Sequence, residues 1–206
     1  MTEQLAKKQS SWRVVDIVIA SVVAVASGVF FWAWSAGYGL FSLAFVAFPP
    51  ATALLTGGWL FPAVLGALII RKPGAALFCE ILAAVIEALL GSHWGMGVLI
   101  SGLVQGLGAE VVFAMFLYRK WNLPVALLAG LGSGLFAGIS EAYIVANLTE
   151  YTEAMKVFHV AATAFSGLVV AGLLSWWAVR GLAKTGALGK LASRRAHLEP
   201  AVAGTK

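Results

Sequence analysis

The chain has 206 residues, 61% of them hydrophobic and 11% charged, with a formal charge of +5 and a mean hydropathy of +0.91. That balance excludes a soluble globular domain and points to an integral membrane protein. The basic residues gather at the ends of apolar runs and in the C-terminal tail, where membrane topology places them, so nucleic acid is not an expected partner.

Residues 1–13, MTEQLAKKQSSWR, read as a polar, basic tail on the cytoplasmic side. The first apolar run is too long for a signal-peptide core and has no small-residue cleavage site after it, so it is expected to remain as the first span. Apolar runs then suggest helices at about 14–35, 40–56, 58–71, 73–91, 96–119, 122–147 and 155–180. Basic residues precede the first run (Lys7, Lys8, Arg13), recur at Arg71-Lys72 and Arg119-Lys120, and follow the last (Arg180, Lys184, Lys190, Arg194, Arg195). Seven crossings would put Arg71-Lys72 on the side opposite the N-terminus, against the positive-inside rule. Residues 37–71 therefore read as one crossing, broken by Pro49-Pro50, Gly57-Gly58 and Pro62. Irregular backbone at membrane depth survives only inside protein or beside a water-filled cavity. The expected fold is an all-α integral membrane protein: a six-transmembrane-helix bundle over 14–183 with its second crossing broken, a lined cavity near Trp34 to Pro50, and both termini cytoplasmic. Residues 184–206 form a basic C-terminal tail.

Ionisable residues inside spans mark candidate sites. Glu80 and Glu87, in EILAAVIEALLGSHWG, share a helix face seven residues apart. Counted at about 1.5 Å per residue from Arg71-Lys72, Glu80 lies near mid-membrane and Glu87 in the outer third. Glu87 is the better ligand carboxylate, and Glu80 reads equally well as helix glue. The fourth span offers Gln105 for a ligand amide or ring nitrogen, and Glu110, which is as readily structural. In the fifth, Gly130, Gly134 and Gly138 form a close-approach seam, continued by Glu141. Tyr143 and Asn147 share a different face with Ser140, so only part of this group can reach one pocket. The last span carries His159, Thr163 and Ser166 on one stripe. Trp32, Trp34, Tyr38, Trp59, Trp94 and Tyr151 suit an interfacial aromatic belt. Trp34 and Trp94 also flank carboxylate-bearing helices, where a flat or cationic ligand could stack. Cys79 reads as a small core hydrophobe. No P-loop pattern and no pair of histidines at metal spacing occurs, so neither a cofactor nor a metal is expected.

Two stretches resemble a known family, the substrate-binding S components of energy-coupling factor (ECF) transporters. These are ASVVAVASG, which spaces Ala20, Ala24 and Gly28 at i+4, and the RKPG connection. The segment GGWLFPAVLGALIIRKPGAALFCEILAAVIEALLGSHWGMG is most similar to the YkoE-like group, associated with thiamine or its hydroxymethylpyrimidine precursor. The resemblance implies a six-helix, non-enzymatic subunit that binds a vitamin on its outer side and docks on a membrane-embedded T component with two cytoplasmic ATPases. It further implies docking through Ala20, Ala24 and Gly28, and an aminopyrimidine held by Glu87. The residues themselves leave a second reading open, a stand-alone proton- or cation-coupled carrier using Glu80, Glu87, Glu110 and Glu141 as a relay.

Overall fold

The computed structural model describes residues 11–145 and 148–202, and all regular structure among them is helical. Helix α1 spans Val14–Ser42. After it come two 3-10 turns, Leu43–Phe45 and Pro49–Leu55, and then α2, Gly57–Ile70. Helix α3 is Ala75–Leu89, α4 is Gly97–Met115, and α5 is Leu123–Ile139, which runs on into a π turn at Ser140–Ile144. The last crossing is α6, Glu153–Ser166, a π segment at Gly167–Leu174, and α7, Ser175–Lys184. Five stretches are long and apolar enough to cross a bilayer: Val14–Phe45, Pro49–Ile70, Gly97–Met115, Leu123–Ile144 and Glu153–Lys184. The 15 residues of α3, about 22 Å at 1.5 Å per residue, make a sixth, shorter crossing. The chain is thus a multi-pass membrane bundle.

Two boundaries differ from the sequence reading. Helix α1 continues past residue 35 to Ser42, and no α-helix occupies 40–56. Pro49-Pro50 removes two successive N–H donors and turns the preceding residue away from helical angles, so the chain makes 3-10 turns before α2. Within α2, Pro62 interrupts the backbone ladder, and the next amide, Ala63 N–H, donates to Glu80 Oε2 on α3 at 2.8 Å.

The end of the bundle that carries RKPG is tightly knotted. Arg71 ends α2 in the left-handed region at φ 57°, and Gly74 at φ 83° starts α3, so the link between them is compact. Lys72 Nζ donates to Asp16 Oδ2 at 2.7 Å and to the Ser11 carbonyl, and Trp12 Nε1 donates to the Pro73 carbonyl at 2.9 Å. Glu110 caps α3 by accepting from the amides of Gly74, Ala76 and Leu77 at 2.6, 3.0 and 3.2 Å. Tyr118 donates to the same carboxylate at 2.8 Å; burial and that hydrogen bond push its hydroxyl up to about 12.

The segment after α7, expected as a tail, folds onto this basic end. Arg71 makes two 2.7 Å bonds to the Glu199 carboxylate, Ser193 Oγ donates to the Ile69 carbonyl at 2.6 Å, and Leu188 and Leu191 are buried. Arg180 donates to the carbonyls of Ala196, His197 and Glu199.

Small residues set the helix spacing, as they must where lipid is as apolar as any side chain. On α5, a Cβ added at Gly134 would lie 2.5 Å from the Thr163 carbonyl oxygen of α6, and one at Gly138 would lie 2.9 Å from Val160 Cα. The α1 motif also packs inward, against a helix of the same chain. Ala20 and Ala24 are fully buried, Cys79 Sγ lies 3.7 Å from the Ala20 carbonyl, and a Cβ on Gly28 would strike Ala83 and Ile86. Helix α3 packs directly on this small-residue face of α1.

Gly134→Ala is expected to cost about 1–3 kcal/mol by overpacking, read as a lower unfolding midpoint in detergent. Gly39→Ala, with open space around it, should not lower the midpoint and should raise it slightly through helix propensity.

Candidate functional site

At the end opposite RKPG, the irregular chain around Pro49–Leu55 and the ends of α1 to α6 enclose a cavity of about 370 Å³. Glu87 on α3 is its best-held polar group. Ser35 Oγ on α1 donates to Glu87 Oε1 at 2.6 Å, and Ser92 Oγ donates to the same oxygen at 3.0 Å. Trp59 Nε1 donates to Ser35 Oγ at 3.1 Å, so the one hydroxyl hydrogen of Ser35 is committed to the glutamate. Both acceptor positions of Oε1 are filled, and neither serine bonds to Oε2. The carboxylate is only 1% exposed, so the serine pair also satisfies a group that would be costly to bury alone.

Three aromatic rings line the cavity around this carboxylate. Tyr38 lies 5.7 Å from Trp59 and 5.4 Å from Trp94, and Trp59 lies 6.5 Å from Trp94, all tilted or edge-on. They put aromatic surface beside a polar group, a combination that a planar heterocycle fits. Gln105, 5% exposed on α4, adds an amide to the lining. A second carboxylate comes from the π turn after α5: Glu141 Oε2 lies 2.9 Å from His159 Nε2 on α6, and both residues line the cavity.

Of the residues singled out by sequence, Glu87, Trp94, Gln105, Glu141 and His159 come together here. Glu80 does not reach the cavity; it is fully buried below it, bonded to Ala63 N–H. Trp34 lies on the neighbouring packing face, its indole N–H donating to the Leu55 carbonyl at 3.2 Å above Gly58. Tyr143 points outward, with its hydroxyl 3.3 Å from Glu153 Oε2 and Lys156 Nζ 5.2 Å from its ring centre. Asn147 lies outside the described residues. His93, tilted against Trp94 with ring centres 4.2 Å apart, borders a smaller recess of about 110 Å³ that also touches Ser35 and Ser92.

Ser35, Tyr38, Trp59 and Tyr151 were missed as site residues. One signal was present: Phe31, Ser35 and Tyr38 fall at i, i+4 and i+7 on α1, a single face with a polar group at its centre.

Comparison with known proteins agrees with this geometry. The model of a family described as the permease component of ABC-type cobalt transport systems matches residues 15–136. A putative HMP/thiamine permease protein, YkoE of Bacillus subtilis (strain 168), is 38% identical over 187 residues, which is 88% of this chain and 90% of that protein. A crystal structure of an S component of an ECF transporter aligns with a TM-score of 0.84 at 36% identity, over 91% of this chain and 94% of that one.

The chain is an ECF S component of the YkoE-like group. As an S component it is a transport subunit rather than an enzyme.

Ser35→Ala should cost about 1–3 kcal/mol, because it leaves the Trp59 N–H without its acceptor and takes one hydroxyl from Glu87. A lowered unfolding midpoint, together with a shifted tryptophan emission maximum, would report both losses.

Proposed function

We propose that this S component binds thiamine or its hydroxymethylpyrimidine precursor in the cavity and delivers it inward together with a T component and two cytoplasmic ATPases. The observation that carries the reading is the Glu87 carboxylate, immobilised by Ser35 and Ser92 at the edge of an aromatic enclosure. An aminopyrimidine presents an exocyclic amine next to a ring nitrogen. Glu87 Oε2 can accept from that amine, Gln105 can satisfy a second edge, and the Tyr38, Trp59 and Trp94 rings can cover the faces. The name of the Bacillus relative supports the same ligand class. The lining contains no Lys or Arg, which disfavours a phosphorylated ligand. Among the described residues no three His, Cys, Asp or Glu side chains come together to hold a metal ion, which favours an organic ligand over the cobalt in the matched family's description.

The basic end carries Arg13, Arg71, Lys72, Arg119, Lys120 and Arg180. The positive-inside rule places it, with both termini, at the cytoplasmic side of the cell membrane, so the cavity opens outward. Docking through Ala20, Ala24 and Gly28 is not part of the proposal, because α3 fills that side of α1. A proton relay through the glutamates is disfavoured too, since Glu110 and Glu80 are engaged with backbone amides.

Titration of the purified chain with thiamine and with hydroxymethylpyrimidine should give saturable quenching of tryptophan fluorescence. Glu87→Gln should weaken binding about tenfold or more, the range for a lost charge-assisted hydrogen bond. Absence of binding by either compound would sink the proposal. The chain alone in liposomes should give no substrate flux, because energy has to come from its partners.

A further inference from the structure

The cavity holds a second carboxylate that a neutral pyrimidine does not need. Glu141 lies in the π turn Ser140–Ile144, where the Val145 amide donates five residues back to the Ser140 carbonyl at 2.8 Å. Such turns are less favourable than regular helix and often occur at functional sites. Here the wide turn places both Ser140 and Glu141 on the cavity wall.

His159, only 7% exposed, fixes the far side of that carboxylate. A carboxylate oxygen accepts here, so the 2.9 Å contact places a ring hydrogen on Nε2 and makes the imidazole the donor that orients Glu141. The Glu141 carboxylate faces the cavity, and no lysine or arginine lies among the described lining residues. The basic residue nearest in sequence, Lys156, is directed elsewhere: it pairs with Glu153 at 3.2 Å and lies over the Tyr143 ring. Beside the pair, Tyr151 lines the cavity with its ring centre 6.3 Å from that of His159, offering an aromatic face to a cation.

The two carboxylates come from different helices and have different support. Glu87 on α3 is bound by hydroxyls within the aromatic enclosure, and Glu141 at the end of α5 is held by an imidazole. We propose that Glu141, oriented by His159, faces a permanent positive charge on the ligand, so that the site prefers the two-ring cation thiamine to the single-ring, neutral hydroxymethylpyrimidine. This assignment rests on the vitamin-binding reading above. In it Glu87 reads the aminopyrimidine edge common to both compounds, and Glu141 is the residue that discriminates between them.

The test compares three probes on the full-length chain in detergent: thiamine, hydroxymethylpyrimidine, and a neutral thiamine analogue with thiophene in place of thiazolium. The unaltered protein should bind thiamine about tenfold or more tighter than the neutral analogue, and Glu141→Gln should lose that margin for thiamine while changing its affinity for both neutral probes by no more than about twofold. Equal affinity of the unaltered protein for thiamine and its neutral analogue would overturn the assignment. So would a loss in Glu141→Gln that is the same for all three. If Glu141→Gln fails to fold, the comparison on the unaltered protein decides alone. Failure of every probe to bind the unaltered protein would instead remove the vitamin reading, a separate result.

Discussion

The approach of α6 to α5 is the constraint on which the site depends. Between helices in lipid there is little hydrophobic drive, and attraction comes from backbone surfaces close enough for many weak contacts. Gly130, Gly134 and Gly138 supply that surface on α5, and Gly167 and Gly172 answer it from the π segment that follows α6. With the helices at this distance, a glutamate and a histidine on opposite partners meet at 2.9 Å. A wider separation would leave two polar groups facing each other across lipid-like space.

The acidic residues divide by what satisfies them. Glu110 accepts from three backbone amides and Glu80 from one, with its Oε1 buried and unpartnered; these amides cannot move without unwinding a helix, which ties both acids to the frame. Asp16 is clasped by Lys72 and Arg13 at the basic end. Glu87 and Glu141 are bonded to side chains, two serines in one case and a histidine in the other. Side-chain partners hold direction while leaving part of the carboxylate for something else. Among the span glutamates, this difference divides those tied to backbone from those that line the cavity.

The crossings were legible in the sequence because hydropathy and the placement of Lys and Arg act along the chain. The break before α2 was legible too, since Pro49-Pro50 acts on its own backbone. Much of the site was not. The two tryptophans of α1 and α2 illustrate the reason: Trp34 and Trp59 are both aromatic, both near carboxylate-bearing helices, and lie only 6.2 Å apart, yet Trp59 lines the cavity and Trp34 does not. Which one faces inward depends on how α1 rotates against α2, and no local pattern encodes that. Ala20 and Ala24 show the same limit, since a small-residue stripe announces close approach without saying whether the neighbour belongs to the same chain. Glu110 could not be recognised as a cap because its amides belong to another helix, some 35 residues earlier in the chain.

Cys79 is the single cysteine of the chain, and it is wholly buried where α3 meets α1. A thiol in that position is shielded from water-soluble maleimides and spin labels. The native sequence therefore already serves as a background for site-directed labelling: a second cysteine at the rim of the cavity could carry a fluorophore or nitroxide with the native thiol left in place. Opening and closing of the site could then be followed in a protein whose helix seam at Ala20 has not been disturbed to make the measurement possible.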